Sequence, residues 1–354
     1  MIISRTPYRI SFFGGGTDYP AWYRSHGGSV LATTIDKYCY LTCRYLPPFF
    51  EHNYRVVYSK TENCKTIDEI SHPAVREILR FMNIKHGVEL HHDGDLPARS
   101  GLGSSSSFTV GLLHALHALK GEMPSKLQLA KEAIHIEQEC IKETVGSQDQ
   151  VLAAFGGFNY ILFHENEDIA VRPVVLPRER ISELTSCLLM LYTGIKRTAS
   201  DIADSYVSEI QDKRREMRIM TDLVNEALTV LNTGSHLAAF GELLHEAWLL
   251  KRSLSSKVSN AEVDDLYKTA RDLGAKGGKL IGAGGGGFML LFVEPDLQPR
   301  IRDRLSHLVY VPIQFEFTGS QIIFLDRPEE YLSLREEGAR RETKPSRELT
   351  LSEE

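Results

Sequence analysis

The chain has 354 residues, of which 42% are hydrophobic and 25% are charged, and its formal net charge at pH 7 is -6. This composition is typical of a globular protein with one large or two smaller domains, and the negative balance argues against nucleic-acid or anionic-membrane binding as the main task. The N-terminal residues lack the apolar core of a signal peptide, and the five cysteines are typical of free thiols, so we expect a cytoplasmic protein.

The first half of the chain alternates strand-like and helix-like segments. Strands are predicted in MIISRTPYRISFF, VLATTIDKYCYLTCRYL, YRVVY and VELHH, each bounded by Gly, Pro or Asn. Helices are expected at about 71–83, 105–120 and 125–143, and FNYILF is expected to be a further strand. The segment 173–186 carries prolines and charges without a clear period, and we place a domain boundary there.

The second half predicts a strand in CLLMLY, long helices within about 200–252 and 260–273, and strands in GFMLLFV, VPIQFEF and QIIFL. The apolar run FMLLFV is too short to span a bilayer. Because both halves mix strands and helices, we predict two α+β domains, residues 1–180 and 181–335, followed by a charged tail at 336–354.

Two glycine-rich segments are candidates for a nucleotide site. GAGGGG at 282–287 matches G-x-G-x-x-G, but a strand-like segment follows it, whereas dinucleotide binding requires a helix there. GLGSSSS at 101–107 does precede a helix, in which Phe108, Leu112 and Leu116 recur at helical spacing. Helix N–H groups, flexible glycines and serine hydroxyls favour a phosphate cradle, and the alternative is a linker with one capping serine.

Glu137 interrupts the apolar face of the third predicted helix, on which Leu127, Ala130, Ile134 and Ile141 form a stripe. A glutamate buried alone is costly, so it must be paired, protonated or bound to a cation. Both Mg²⁺ coordination and a buried salt bridge satisfy this requirement at this point.

Capping residues indicate where two of the helices begin. Ser125 and Gln128 form an apparent capping box after a proline. Ser147 is expected to cap a short helix that carries Asp149 in its first turn, where acidic residues are favoured by the helix dipole.

Three segments, in order, resemble the motifs of the GHMP kinase superfamily of small-molecule kinases: TPYRISFFGGGTDYP, LPARSGLGSSSS and GAKGGKLIGAGGGGF. The resemblance extends from about residue 4 to residue 290. It implies a ribosomal-S5-like N-terminal domain, a ferredoxin-like C-terminal domain and a site in the cleft between them. It also implies ATP and Mg²⁺ as cofactors.

The resemblance further implies roles for individual residues. Asp149 matches the catalytic base and Arg9 the basic residue beside it, while Ser105 and Glu137 match the Mg²⁺ ligands. ATP phosphates are expected to contact the central motif, namely Arg99, Gly101, Leu102, Gly103, Ser104, Ser105, Ser106 and Ser107, of which Ser107 is expected to serve as a helix cap. Substrate contacts are expected from the outer motifs, namely Gly14, Gly15, Gly16, Thr17, Asp18, Gly284 and Gly285.

The acceptor is expected to be a phosphorylated sugar. Gly15 and Gly16 stand where galactokinases carry a Glu-His pair, which argues against galactose, and LYTGIKRTASDIA and LLHEAWLLKRSLSSKVSN resemble segments of heptose 7-phosphate kinases. The resemblance implies transfer of the γ-phosphate of ATP to O1 of D-glycero-D-manno-heptose 7-phosphate. The second anion site that this acceptor needs has five candidates: Lys196, Arg197, Lys251, Arg252 and Lys257.

Three alternatives to this acceptor and activity stay open at this point. In the first, the acceptor is a free sugar, namely fucose or another hexose or heptose. In the second, the acceptor is sedoheptulose 7-phosphate. In the third, the chain is a non-catalytic sugar sensor on the same fold. Small molecules, rather than nucleic acid or membrane, are the expected partners, and the sequence does not indicate an oligomeric state.

Overall fold

A computed structural model describes residues 1–47, 49–98, 100–195, 199–208 and 210–326. Its strands are β1 (Ile2–Phe13), β2 (Gly28–Tyr45), β3 (Tyr54–Val57), β4 (Thr61–Cys64), β5 (Val88–Gly94), β6 (Phe158–Phe163), β7 (Ile169–Pro173), β8 (Leu188–Tyr192), β9 (Gly277–Leu280), β10 (Phe288–Phe292), β11 (Val309–Val311), β12 (Phe315–Glu316) and β13 (Gln321–Leu325).

The helices are α1 (Pro20–His26), α2 (Pro73–Phe81), α3 (Ser104–Leu119), α4 (Lys126–His135), α5 (Gln148–Phe155), α6 (Arg178–Ser186), α7 (Ala199–Val207), α8 (Arg214–Asn232), α9 (Ala238–Leu254), α10 (Ala261–Asp272) and α11 (Gln298–Arg304). A short 3₁₀ helix spans Ile67–Glu69, and a π-helical turn spans Ile136–Cys140. In the parts of the chain that the structure describes, no helix is long and apolar enough to cross a membrane.

The strands form two sheets. In the larger one the order is β13-β1-β2-β5-β3-β4, with β6 and β12 pairing along β2 and β7 pairing with β6. The smaller sheet has the order β11-β8-β10-β9 and is antiparallel throughout. With helices between β8 and β9, a direct β9–β10 connection and α11 before β11, this is a ferredoxin-like arrangement. The predicted α+β class is confirmed.

The last two strands depart from the predicted division into residues 1–180 and 181–335. Although they follow the smaller sheet in the chain, β12 pairs with β2 and β13 pairs with β1, so both belong to the N-terminal sheet. Pairing between such distant segments leaves no local pattern in the sequence. The segment 173–186, expected to be an irregular boundary, contains helix α6. The predicted tail, 336–354, lies outside the described residues.

Helix α4 bears out one capping prediction and corrects part of the predicted apolar stripe. The Ser125 hydroxyl accepts a hydrogen bond from the Gln128 backbone N–H at 3.1 Å, as the capping box predicted. Glu137 is fully buried in the π-helical turn that continues α4, whereas Leu127 is 38% exposed. The face that packs inward runs instead through buried Leu129 and Ala133, which places Leu127 toward solvent.

One of the two hydrophobic core clusters is shared by both sheets. Phe12 and Phe13 at the end of β1 contact Phe240 of α9, with ring centroids 5.5 and 5.1 Å apart. Phe240 in turn lies 6.2 Å from Phe292 of β10. This aromatic contact holds the end of β1 against the C-terminal unit, and the cleft described below opens beside that junction.

Candidate active site

A cleft between the two units is lined by segments of both. The N-terminal unit contributes β1 and the turn after it, the loop before α3, the first turn of α3 and the segment 143–149. The C-terminal unit contributes α9, β9 and the loop that follows β9. The glycine loops of the sequence therefore meet at one place, as expected for a site between domains.

Arg9 and Asp149 form a two-point ion pair in this cleft. Arg9 Nε and Nη2 donate to the two carboxylate oxygens of Asp149, each at 2.6 Å, and Nη1 donates to the Gly101 carbonyl at 2.5 Å. The Arg9 side chain is 6% exposed and that of Asp149 is 23% exposed, so the pair is shielded on one side and accessible on the other. The predicted proximity of Arg9 and Asp149 is confirmed.

Asp149 lies in the first turn of α5, as predicted. Ser147 occupies the N-cap position of α5, as expected, but its side chain makes no capping hydrogen bond; the hydroxyl instead accepts one from the Gln138 side chain at 3.1 Å.

The loop before α3 brings backbone close to this ion pair. Gly101 and Gly103 have positive φ angles of 88° and 73°, which favour glycine. A Cβ at Gly103 would lie 3.1 Å from Arg9 Cγ and 3.3 Å from Asp149 Oδ2. The N-terminal N–H groups of α3 and the residues Ser104–Ser106 therefore border the cleft beside the Arg9–Asp149 pair, an arrangement that suits an anion.

The four serines of this loop differ in their contacts. Ser105 is exposed and lines the cleft, whereas the Ser106 hydroxyl donates to Glu137 Oε2 at 2.8 Å. Ser107 donates to the Pro7 carbonyl at 2.9 Å, and Gly103 occupies the cap position of α3, so the expected capping role of Ser107 is wrong.

A further predicted phosphate contact of this loop does not place its side chain in the cleft. Leu102 is fully buried in the core and does not line the cleft. Arg99 lies outside the described residues.

Glu137 is a buried carboxylate with one oxygen left without a hydrogen-bond partner. Oε2 accepts from Ser106 and, at 2.5 Å, from Gln150, while Oε1 has no partner among the described residues. Burial raises the pKa of Glu137 to about 7, and the side chains of Thr109, Ser106 and Gln150 oppose this rise. No Lys, Arg or His in the described ranges forms an ion pair with it, so the salt-bridge alternative has no support there.

This environment fits a divalent cation, for which carboxylate and hydroxyl oxygens are suitable ligands. No cluster of three or more His, Cys, Asp or Glu side chains in the described part of the chain could hold a metal alone. A cation at Glu137 would therefore take its other ligands from hydroxyls and from a bound phosphate.

The first glycine motif divides into cleft-lining and turn-forming residues. Gly15, Gly16 and Asp18 line the cleft. The predicted substrate residues Gly14 and Thr17 do not, because the Thr17 hydroxyl donates to the carbonyls of Gly14 and Ser29 at 2.8 and 2.9 Å. A Cβ at Gly14 would lie 1.9 Å from the Ser29 carbonyl oxygen, which explains the glycine by close packing.

Asp18 is only 1% exposed and accepts hydrogen bonds from the backbone N–H groups of Gly16 and Gln148 at 2.9 and 3.2 Å. Burial raises the pKa of Asp18, the bond from Gly16 opposes the rise, and the nearby charge of Asp149 adds to it. Asp18 and Asp149 therefore form a pair of carboxylates in different environments on one wall of the cleft.

The C-terminal glycine motif contributes different residues from those predicted. Gly282 and Ala283 line the cleft, whereas Gly284 and Gly285 do not. The Gly285 backbone N–H donates to the Val258 carbonyl at 2.8 Å, and a Cβ at Gly284 would lie 2.6 Å from that oxygen, so both pack against the loop after α9. Strand β10 follows the motif, where a dinucleotide site would require a helix, as the sequence predicted.

Among the candidates for the second anion site, Lys251 lines the cleft and donates to the Gly282 carbonyl. Arg252 instead pairs with Asp264 at 2.6 Å, and Lys257 is exposed. Lys196 and Arg197 lie outside the described residues.

Comparisons with known proteins agree with this geometry. Residues 69–157 match the family described as "GHMP kinases N terminal domain", and residues 225–311 match "GHMP kinases C terminal". A D-glycero-alpha-D-manno-heptose 7-phosphate kinase of Campylobacter jejuni is 32% identical over 306 residues, which cover 83% of this chain and 90% of that protein. The chain belongs to the GHMP kinase family. The predicted family and enzyme class, a phosphotransferase, are confirmed.

Two further relatives extend the similarity of this GHMP kinase over most of its length. A galactokinase of Pyrococcus furiosus is 25% identical over 342 residues, covering 86% of this chain and 92% of that protein. The crystal structure of a D-glycero-D-manno-heptose 1-phosphate kinase from Bacteroides thetaiotaomicron superposes with a TM-score of 0.75 at 23% identity, covering 92% of this chain and 100% of that one. The latter likeness supports the fold.

Lys279 is one of several cleft residues of this GHMP kinase that the sequence prediction missed. Lys279 lies in β9, is 4% exposed, and donates to the Phe12 carbonyl at 2.9 Å from across the domain junction. A lysine within an otherwise apolar strand was the signal that could have indicated it. The segment GGKL interrupts its apolar pattern with a charge, as Glu137 does in its helix.

Proposed function

We propose that this GHMP kinase transfers the γ-phosphate of ATP to O1 of D-glycero-D-manno-heptose 7-phosphate. The observation that carries the proposal is the Arg9–Asp149 ion pair, which faces the cleft beside the N-terminus of α3. The acceptor follows from the Campylobacter jejuni relative, whose name specifies this heptose phosphate and which matches the chain over most of its length.

In this proposal the phosphates of ATP contact the N-terminal N–H groups of α3, together with Gly101, Gly103 and the hydroxyls of Ser104 and Ser105. The N–H groups at the start of α3 and the helix dipole favour negative charge there. Glu137, with hydroxyls of Ser105 and Ser106, would hold Mg²⁺, because Glu137 Oε1 lacks a hydrogen-bond partner within the described residues. When bound, this ion neutralises phosphate charge.

Asp149 accepts the proton of the attacking O1 hydroxyl while O1 bonds to the γ-phosphorus and the bond from that phosphorus to the bridging oxygen of ADP breaks. Arg9 holds both carboxylate oxygens of Asp149 and thereby fixes the direction from which the proton is accepted. Asp18, with Gly15 and Gly16, lies where it can contact sugar hydroxyls. This division of roles uses one carboxylate for proton transfer and the other for positioning.

The test is ADP production with ATP, Mg²⁺ and a panel of sugars that includes heptose 7-phosphate and its unphosphorylated parent. We expect turnover of heptose 7-phosphate and a loss of at least about 100-fold in kcat for Asp149→Asn, the lower range for removal of a general base. The matched control is Asp272→Asn on the surface of α10, for which we expect unchanged kcat. Circular dichroism and Tm establish that each variant is folded.

Three other outcomes would contradict the assigned base, the assigned acceptor or the kinase activity. A fully active Asp149→Asn variant contradicts the assigned base. Efficient turnover of fucose, another free sugar or sedoheptulose 7-phosphate in preference to heptose 7-phosphate contradicts the assigned acceptor. ATP binding without turnover of any sugar in the panel indicates a sensor on the same fold.

A further inference from the structure

Two lysines of the C-terminal unit are buried in the cleft, and neither has a carboxylate partner among the described residues. Lys251 lies near the end of α9 and Lys279 in β9, and they are 7% and 4% exposed, yet both line the cleft. Lys251 donates to the Gly282 carbonyl, and Lys279 donates to the Phe12 carbonyl at 2.9 Å. Neither lysine forms an ion pair in the ranges that the structure describes.

Burial of these two ammonium groups is costly in free energy. Each ammonium has three N–H donors and donates one of them to a main-chain carbonyl. Burial lowers the pKa of Lys251 to about 8 and the pKa of Lys279 well below its usual range, and the charge of Arg9 adds to both effects. An anionic ligand in the cleft would supply the missing acceptors and offset the repulsion among these cations.

The carboxylates nearest to these lysines have other partners. Both carboxylate oxygens of Asp149 accept hydrogen bonds from Arg9, and Asp18 accepts hydrogen bonds from two backbone N–H groups. The negative charges of Asp18 and Asp149 raise the pKa of Lys251, but burial lowers it by more. Among the described residues no carboxylate forms an ion pair with either lysine, and a bound anion would supply the charge that fits the pair.

We propose that Lys251 and Lys279 form a subsite for the phosphoryl dianion of a small-molecule ligand. Two ammonium charges match the charge of a phosphate dianion, and lysine binds phosphate as a compact point charge with several donors. The dianion has two possible sources, the phosphate that the acceptor already carries and the phosphoryl group in transfer. The subsite itself follows from the lysines, whereas the identity of the acceptor rests on the proposed function.

The first experiment measures binding of inorganic phosphate to the full chain by calorimetry, in the absence of nucleotide and sugar. The variants are Lys251→Met and Lys279→Met, and the matched control is Lys268→Met, whose side chain is 74% exposed on α10. We expect the Kd for phosphate to rise about tenfold to a hundredfold in both cleft variants and to stay unchanged in the control. Unchanged affinity in both cleft variants overturns the subsite.

The second experiment identifies the source of the dianion from steady-state kinetics of the same variants. A rise of tenfold or more in KM for heptose 7-phosphate, with KM for ATP unchanged, assigns the acceptor's phosphate to the subsite. A comparable fall in kcat with both KM values retained assigns the transferring phosphoryl group. Wild-type kcat and KM values in both variants overturn the proposal.

Two measures keep the tests decisive. If a methionine variant does not show the circular dichroism spectrum of the wild-type protein, the corresponding glutamine variant, Lys251→Gln or Lys279→Gln, is measured in its place. If heptose 7-phosphate is not turned over by the wild-type enzyme, the proposed acceptor fails, but the comparison of phosphate affinities still decides the subsite.

Discussion

Arg9 contacts Asp149 in a way that only an arginine can achieve. The guanidinium spans both carboxylate oxygens at 2.6 Å and also reaches the Gly101 carbonyl, whereas an ammonium presents a single point charge. We therefore expect Arg9→Lys to keep the charge and lose the orientation of Asp149, lowering kcat about 10- to 100-fold. Kinetics of phosphoryl transfer measure this effect.

The control for that variant is Arg5→Lys on the same strand, since Arg5 donates to Gln321 and lies over the Tyr38 ring, outside the cleft lining. Its kcat should match wild type. A kcat within twofold of wild type in Arg9→Lys would show that the two-point contact is not needed for turnover.

The charge of Glu137 is expected to lower the stability of the ligand-free protein and to be required for turnover. An unpaired carboxylate that is fully buried costs free energy in the ligand-free protein, and glutamine has nearly the same shape without the charge. We expect Glu137→Gln to raise the Tm of the free protein at pH 8 by several degrees, an increment of about 1–2 kcal/mol, and to abolish turnover.

Differential scanning calorimetry with and without added Mg²⁺ and ATP measures this effect. The rise in Tm that Mg²⁺ and ATP cause should be much smaller for the variant than for the wild-type protein. A lower Tm in the free variant would mean that the charge of Glu137 is compensated in the ligand-free protein. Glu139→Gln, on the exposed side of the same turn, is the matched control.

The sequence predicted some of these side chains because a short motif carried them. Asp149 was placed by a helix-start pattern and Glu137 by its conflict with the apolar stripe, and both lie where those patterns indicate. Lys279 was missed because its contact with the Phe12 carbonyl joins residues 267 positions apart in the chain. The division of the serine run, with Ser106 rather than Ser105 on Glu137, likewise depends on how α3 packs against the π-helical turn.

At the scale of elements, α3 and α4 are joined by a buried histidine between two carboxylates. His117 near the end of α3 contacts Glu122 in the connecting segment at 2.7 Å and Glu132 of α4 at 2.8 Å. Burial alone would lower the pKa of His117, but the hydrogen bonds to Glu132 and Glu122 outweigh it, and the pKa is raised. Burial would raise the pKa of Glu132, but its bond to His117 outweighs that effect, and the pKa is lowered.

These shifts define the pH range in which the contact stabilises the fold. The protonated histidine contributes fully below its unfolded pKa of about 6.5, and the contribution is lost as pH rises through the higher folded value. The ionised carboxylates contribute above their unfolded pKa of about 4.3, and the contribution is lost as pH falls through the lower folded values. The largest stabilisation therefore lies between about pH 4.3 and 6.5.

We predict that His117→Gln, which cannot titrate, destabilises the protein by about 1–2 kcal/mol near pH 6 and by less at pH 9. Urea unfolding at several pH values measures the difference from wild type. His135→Gln, at an exposed position of α4, is the control and should show no such trend. A difference from wild type that is the same at pH 6 and pH 9 would contradict the assigned protonation.

Local patterns predicted the long helices and also the short helices α2 and α5, but they did not predict the short helices α1 and α6. Helix α3 begins within one residue of its expected start, and Ser125 caps α4 as predicted. Helices α1 and α6 went unpredicted because segments of seven and nine residues with few apolar positions have little periodicity to detect.

At the scale of the whole molecule, the two units are joined by two passages of the chain between the sheets and by packing. The chain returns from the smaller sheet to pair β13 with β1, from Ile2–Leu325 to Arg5–Gln321. Lys279 of β9 donates to the Phe12 carbonyl of β1, so one hydrogen bond of the cleft is also a contact between the units. Because the cleft lies at this junction, its geometry depends on both units being folded.

Phe240 is the side chain through which this junction is best tested. It is fully buried, its ring stands at 90° to that of Phe13 and at 75° to that of Phe12, and it also contacts Phe292 of the smaller sheet. We expect Phe240→Ala to destabilise the protein by about 3–5 kcal/mol, because it leaves a cavity in a core that both units share. The exposed Phe81 of α2 provides the control, and Phe81→Ala should cost less than about 1 kcal/mol.

Because Phe240 belongs to the core cluster that both sheets share, Phe240→Ala should lower the stability of both units together. Unfolding followed by circular dichroism and by the fluorescence of Trp22 and Trp248, which lie in α1 and α9, should give one coincident transition at a lower denaturant midpoint. Separate transitions for the two probes would show that the units unfold independently and that the aromatic contact does not couple them. Activity measured well below the midpoint should also fall, since Phe12 carries the carbonyl that holds Lys279 in the cleft.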